Sequence, residues 1–167
     1  IHSFWVPNLS GKKDLIPGHA TETWIEADSA GVYRGQCAEF CGLQHARMAF
    51  FVTAESPAVF NAWRDAQLAP PSTPAAPEAA KGSALFAARC ASCHTISGTP
   101  AGGIVGPELS HLASRATLAA GTIPNDTRRL TAWIADPAAI KPGVLMPKVP
   151  MTPAERAQVV AYLQSLT

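Results

Sequence analysis

Hydrophobic and polar positions change rhythm about halfway along this chain of 167 residues. In the first half the apolar positions come in short runs. Residues 48–53 (M-A-F-F-V-T) are apolar on both faces and predict a strand covered on both sides. Residues 21–25 are rich in β-formers and predict another. Pro7, residues 8–11, Pro17 with Gly18, and Gly31 punctuate this half as turns. Ser56 before Pro57 predicts an N-cap and a short helix with Val59, Phe60 and Trp63 turned inward. The second half follows a helical period. Residues 83–91 predict a short helix running into a cysteine pair. Residues 127–135 predict a second, with Asp126 as N-cap and Asp136 with Pro137 as its stop. Thr152, Pro153 and Glu155 form a capping box, and Val159, Val160, Leu163 and Leu166 give the following helix its apolar stripe. Three helices separated by long Gly/Pro-rich loops make a small core, one that calls for a large apolar body at its centre.

Between the halves, residues 68–81 (L-A-P-P-S-T-P-A-A-P-E-A-A-K) carry four prolines and no period. They predict a semi-rigid tether reaching roughly 30–40 Å at about 3.1 Å per residue. The expected organisation is a first domain over 1–68, a linker over 69–81 and a second domain over 82–167. Apolar residues make up 47% of the chain and charged residues 15%, and the net charge of +1 argues against a nucleic-acid partner. No run of 18 apolar residues occurs. The opening Ile1-His2-Ser3-Phe4-Trp5 reads like the middle of a strand and not like a signal peptide, so a preceding part with a membrane anchor or targeting segment is expected.

The four cysteines fall into two tight pairs, Cys37 with Cys41 and Cys90 with Cys93. Two disulfides would suit an extracytoplasmic compartment. Each pair, however, has a histidine beside it and a methionine downstream, which points to soft metal ligands. Cys90-Ala91-Ser92-Cys93-His94 is the c-type haem attachment pattern. Its two thiols add to the vinyl groups on one porphyrin edge, and His94 lies under the iron as an axial ligand. A redox disulfide would favour a βαβ context that is absent, and a zinc site would lack its second half. The sixth ligand is expected to be a methionine. Met146 lies in a helix-free stretch able to swing a thioether over the ring, whereas Met151 adjoins the capping box and is the staple candidate. Met146 is therefore preferred.

The first pair is denser. Residues 37–48 (C-A-E-F-C-G-L-Q-H-A-R-M) pack two thiolates, an imidazole and a thioether into 12 residues, with His2 upstream. A mononuclear blue-copper site needs two His, one Cys and an axial Met, so one thiolate is left over. Two thiolates allow two coppers with each sulfur bridging both. The rival is zinc bound by His2, Cys37, Cys41 and His45, which leaves Met48 unused.

The C-terminal stretch from Gly82 resembles the class I cytochrome c family. That resemblance implies that Pro107, after Gly106, orients the proximal histidine through its carbonyl, and that Trp133 in the stretch Trp133-Ile134-Ala135-Asp136-Pro137 lies near a haem propionate. Arg115 either neutralises a propionate or is a solvated surface residue. His111 is expected to be exposed, with no ligand role.

Residues 1 to about 55 resemble the CuA domain of subunit II of haem–copper oxidases, through His2-Ser3-Phe4-Trp5-Val6-Pro7, Ile16-Pro17-Gly18 and Gly31-Val32-Tyr33-Arg34-Gly35-Gln36 leading into the cysteines. This implies His2, Cys37, Cys41, His45 and Met48 as side-chain ligands of CuA, Glu39 as a ligand through its carbonyl, and a magnesium ion reached by the Glu39 carboxylate at the boundary with the catalytic subunit. His19 is read as a loop residue. The implied fold is two domains: an all-β cupredoxin-like domain, here only its C-terminal part without the N-terminal strands and transmembrane hairpin, followed by an all-α class I cytochrome c fold.

Together the two resemblances imply a cytochrome c-fused subunit II, as in caa3-type cytochrome c oxidases. The expectation is an oxidoreductase subunit that takes electrons from a cytochrome c-like or other respiratory donor and passes them through haem c and CuA. Catalytic subunit I, which reduces oxygen and pumps protons, receives them beside other membrane subunits of a bacterial cell membrane. The soluble domains would face its outer side, and this chain would hold no catalytic residue of its own. A CuA-containing nitric oxide reductase would use the chain in the same way. A nitrous oxide reductase typically has Trp where Glu39 stands and needs a propeller domain, and quinol oxidases lack the copper ligands. A zinc- or disulfide-stapled binding module is the rival from a different class.

Overall fold

The computed structural model describes all residues from Ile1 to Thr167. The chain divides into two compact units, Ile1–Asp65 with Ala119–Ile123, and Ala66–Leu118 with Pro124–Thr167.

The first unit is built on two antiparallel hairpins. Strand β1 (His2–Phe4) pairs with β2 (Lys13–Leu15), placing Ser3 opposite Asp14. Strand β3 (Gly31–Gln36) pairs with β4 (Ala49–Ala54), placing Gln36 opposite Ala49. Trp5 links the hairpins, its carbonyl accepting from Gln36 N–H at 2.9 Å. The Phe4 and Phe50 rings stack 5.0 Å apart. Gly35 lies beneath the Phe50 ring, where a Cβ would overlap it. Val6 and Ser3 are buried in this small core.

Three expectations fail in this unit. Residues 21–25 form no strand, and Trp24 is 72% exposed. Their β-forming side chains have no partner strand to register against, so propensity alone does not order them. Strand β4 is covered on one face only, with Phe51 half-exposed, because its ladder has two strands and no second layer over it. Helix α1 (Pro57–Leu68) forms where Ser56 and Pro57 predict it, but none of its residues is buried, and Val59, Phe60 and Trp63 face solvent.

The second unit is helical. Helix α2 (Pro77–Arg89) begins six residues before the expected position, with Pro77 at its first turn. The last residues assigned to the linker, from Pro77 onward, are therefore helical. Ala and Glu are good helix formers, and here they outweigh the proline-rich composition. The remaining stretch is also held, since Ser72 Oγ donates to the Ser165 carbonyl at 2.9 Å. Helix α3 (Thr127–Ala135) is capped by Asp126, whose carboxylate accepts from Arg129 N–H at 2.8 Å. Asp136 both ends it and caps the short α4 (Pro137–Ile140). Helix α5 (Pro153–Leu163) starts at the predicted capping box. Helices α2 and α5 pack closely because Gly82 leaves no Cβ against the Gln158 carbonyl, and Phe86 meets Tyr162 edge-on with ring centroids 5.7 Å apart. Between the haem motif and α3 the chain also has two two-residue strands, β5 (Thr117–Leu118) and β6 (Ile123–Pro124), so this stretch is not purely helical. Ile96, Leu130, Val159 and Leu166 fill the core.

Candidate metal centre and haem-attachment site

Residues 37–48 connect β3 to β4, and the strand register closes them into a loop: Cys37 N–H donates to the Met48 carbonyl at 2.9 Å. Inside, Gly42 reverses the chain at φ +113°, a conformation that suits glycine. A 3-10 turn over His45–Arg47 then returns the imidazole to the cysteines. Strand β1 brings His2 from outside the loop, held where Ala38 N–H donates to the Ser3 carbonyl at 3.4 Å.

The donors converge. Cys37 and Cys41 sulfurs lie 3.8 Å apart. His2 Nδ1 is 3.8 Å from Cys37 Sγ and His45 Nδ1 is 3.7 Å from Cys41 Sγ. The Met48 thioether is 3.7 Å from Cys41 Sγ, and the Glu39 carbonyl is 3.1 Å from Cys37 Sγ. None of the cysteines is in a disulfide. The sulfur separation is nearly twice the disulfide bond length of about 2.0 Å. It matches the edge of a tetrahedral site with metal–sulfur bonds of about 2.3 Å. The chemistry of the set therefore fits a soft or borderline cation.

Protonation is divided between the two sulfurs. Burial pushes the Cys37 thiol up, but backbone hydrogen bonds at Ser3 and Glu39, with the His2 and His45 rings, outweigh it and lower it to about 6. Burial and the neighbouring Cys37 sulfur hold the Cys41 thiol above its ordinary value. One sulfur is a ready thiolate at neutral pH, and the other releases its proton when a cation binds.

Behind these donors lies a polar chain that sequence reasoning missed. Ser3 Oγ donates to Asp14 Oδ1 at 2.5 Å, and the Lys12 ammonium donates to the same oxygen at 2.5 Å. Lys12 also lies 3.5 Å from the Glu39 carboxylate. The signal was the β1–β2 register that sets Ser3 against Asp14, which no single residue reveals. His19 is an exposed turn residue.

In the second unit α2 runs into the attachment motif, and Cys93 and His94 N–H groups both donate to the Cys90 carbonyl at 3.0 Å. His94 Nδ1 donates to the Pro107 carbonyl at 2.7 Å, which leaves Nε2 as the free ring nitrogen. Gly106 makes the approach possible, since a Cβ there would stand 2.5 Å from His94 Cε1. Burial raises the Cys90 thiol. Cys90 and His94 open onto a cavity walled by Phe86, Leu109, Ile134, Val159 and Leu163, apolar as a porphyrin face requires. Met146 and Met151 both line it. Helix α3 contributes Ile134 to the wall, and Trp133 is half-buried elsewhere on that helix.

His111 is buried, not exposed as expected, and its Nδ1 has no partner. It sits between the buried Ser110 and Leu112 at the start of a 3-10 turn, and that apolar neighbour carries it inward. Arg115 donates to the Glu108 carbonyl at 2.6 Å.

Residues 79–167 match the sequence model of the cytochrome c family, and residues 1–55 match that of the periplasmic domain of cytochrome c oxidase subunit II. The first match covers more than half of the chain, which thus belongs to the cytochrome c family and joins to it a subunit II periplasmic domain. Cytochrome c oxidase subunit 2 of Alkalihalophilus pseudofirmus OF4 is 39% identical over 168 residues, 99% of this chain and 48% of the relative. The subunit 2 of Bacillus sp. PS3 is 33% identical over 152 residues, 85% of this chain and 42% of the relative. A probable cytochrome c oxidase subunit 2 of Rickettsia prowazekii is 46% identical over 63 residues, 38% of this chain and 20% of the relative. The chain thus spans about half the length of the first two relatives. A cytochrome c domain implies haem, and a subunit II domain implies copper.

Proposed function

We propose that this chain is the electron-entry part of a respiratory terminal oxidase, with haem c on Cys90 and Cys93 and a dinuclear CuA centre on the residue 37–48 loop. The observation that carries the reading is the donor set around the two sulfurs, in one chain with a haem-attachment motif. A single tetrahedral metal, with bonds of 2.0–2.3 Å, needs every donor pair within about 3.8 Å. His2, Cys37 and Cys41 lie within 4.8 Å of one another, and His45 falls outside that set. Each sulfur instead has its own imidazole and its own weak donor: His2 and the Glu39 carbonyl beside Cys37, His45 and Met48 beside Cys41. Two metals held at this pair of thiolates would use all six groups.

Bound haem c and the copper pair supply one-electron chemistry, taking electrons from an external respiratory donor toward a catalytic subunit I that reduces oxygen and pumps protons. The chain's own contribution is placement. Pro107 holds the His94 ring, Met146 is the sixth-ligand candidate, and the β3–β4 register holds the copper donors so that little rearrangement accompanies a change of charge. Trp133 lies on the helix next to the haem crevice. The Glu39 carboxylate, half-exposed and near Lys12, is the group that a magnesium ion would use at the border with subunit I. The complex would sit in a bacterial membrane with these domains on its outer face, the anchor belonging to the preceding part of the chain and other membrane subunits completing the assembly.

Metal analysis with electron paramagnetic resonance tests the reading. One covalent haem and two coppers per chain are expected, with a signal split by two equivalent copper nuclei. A single copper, or zinc alone, overturns it.

A further inference from the structure

The peptide bond that follows Met48 is held at both of its polar ends. In a trans peptide the carbonyl and the N–H point in opposite directions. On the β3 side the Met48 carbonyl accepts from Cys37 N–H at 2.9 Å, and on the other side Ala49 N–H donates to the Ala120 carbonyl at 3.0 Å. Ala49 is buried, and β4 has a partner strand on one edge only, so no sheet hydrogen bond awaits that N–H. The acceptor comes from far along the chain, on residues Ala119–Ile123, which belong to the first unit. Their backbone is costly. Ala119 and Ala120 are the non-glycine residues at positive φ, +54° and +55°, and Gly121 follows at +74°. A left-handed alanine sets its Cβ against the following carbonyl, and such backbone persists only where the surroundings over-determine it. Thr122 Oγ1 donates to the Ala119 carbonyl at 2.7 Å, closing the turn, and lies 3.5 Å from the Arg47 carbonyl. Gly121 packs so closely that a Cβ would stand 3.2 Å from the Ala49 Cβ and carbonyl oxygen. The turn thus meets the residues on both sides of Met48. Met48 itself lies between the 3-10 turn and β4 and belongs to neither.

We propose that the Ala119–Ile123 turn is a positioning element of the copper centre: its Ala120 carbonyl fixes the Met48–Ala49 peptide, and through it the Met48 thioether beside Cys41. This rests on the reading of Met48 as a weak copper donor. Held from β3 alone, that peptide is free to tilt about the Cys37 hydrogen bond. A second hold on its opposite end removes the tilt and sets where the sulfur, 3.7 Å from Cys41 Sγ, stands. A weak donor of this kind tunes the reduction potential of a thiolate-bound copper. Strained backbone outside the ligand loop thereby governs a property of the electron-transfer site.

Potentiometry and chelator competition on the copper- and haem-loaded chain test this. Gly121→Val sets a β-branched residue at positive φ and against Ala49. It should shift the copper potential in the same direction as Met48→Leu, by less. Its copper affinity should fall about tenfold, as when a group that orients a ligand is lost. Ala120→Pro, whose ring fixes φ near about −65°, should act likewise. Thr122→Val removes only the hydroxyl that closes the turn; it should give the same shifts at smaller size, and it serves if the bulkier changes unfold the unit. Ala120→Gly keeps the carbonyl and relieves the strain, so it should hold the wild-type potential. In the metal-free chain the Ala49 amide should exchange hydrogen about tenfold faster in Gly121→Val and Ala120→Pro, and no faster in Ala120→Gly. Gly98→Val is the control, a left-handed glycine at φ +73° in the second unit, and it should move neither potential nor affinity. Unchanged potential and affinity in Gly121→Val, Ala120→Pro and Thr122→Val overturn the positioning role, as does an equal shift in Gly98→Val. The ligand reading fails by a different pattern: if Met48→Leu leaves the potential where it stands, Met48 is no donor, and the positioning role falls with it.

Discussion

The two sites of this chain are assembled in opposite ways. In the first unit five of the six candidate copper donors come from one loop, and paired strands fix both ends of that loop. Its sulfurs, imidazoles and thioether already stand 3.7–3.8 Å from a neighbour. In the second unit only the cysteine–histidine side is local, tied by the Pro107 carbonyl. The methionine side arrives from more than fifty residues downstream on irregular chain, with two thioethers on the same cavity wall. Donors set by a hairpin register are placed as soon as the hairpin forms. Donors that arrive on irregular chain are placed only when the whole unit has packed.

The largest expected effect breaks the comparison on the copper side. Cys41→Ser removes one of the two thiolates of the proposed copper centre, and the dinuclear signal should disappear with copper falling from two per chain to at most one, while covalent haem by absorbance is retained. Met146→Leu should abolish the Met–iron band and leave both coppers in place. Gly106→Ala forces a Cβ into the His94 ring and should destabilise the second unit by about 1–3 kcal/mol, as overpacking does, seen as a lower denaturant midpoint. Asp126→Ala should have the smallest effect, lowering the melting temperature by a few degrees through loss of the α3 N-cap.

The pH dependence of that last variant has a definite sign. The Arg129 N–H, and then the Arg129 side chain, hold the Asp126 carboxyl below its ordinary 3.8. A lowered carboxyl stabilises the fold above its unfolded value and loses that contribution as pH falls through the folded value. Wild type and Asp126→Ala should therefore differ in melting temperature near neutrality and converge in acid below about pH 4.

What the amino-acid sequence disclosed follows the same division. The Asp126 cap and the Thr152 capping box are local patterns, and the structure has helices starting where they predict. The meeting of the candidate copper donors was legible too, because they sit within 12 residues and one upstream strand. The inward face expected of α1 was misread, since a 3.6-residue stripe predicts amphipathicity but not which surface will cover it. The strand expected over residues 21–25 failed for want of a ladder partner. The Ser3–Asp14–Lys12 chain and the burial of His111 both depend on residues brought together from distant positions, and no period or motif encodes such meetings.

The closure of the 37–48 loop by Gln36 and Ala49 also bears on inheritance. A ligand set bracketed by one pair of facing residues travels as a unit: duplication, recombination or transfer of a single hairpin carries five donors at once, and only the histidine of a neighbouring strand must be acquired separately. Substitutions at exposed hairpin positions such as Val32 and Phe51 can drift without disturbing those five. An insertion within the bracket cannot, because it moves every donor beyond it away from the partner strand that sets its place.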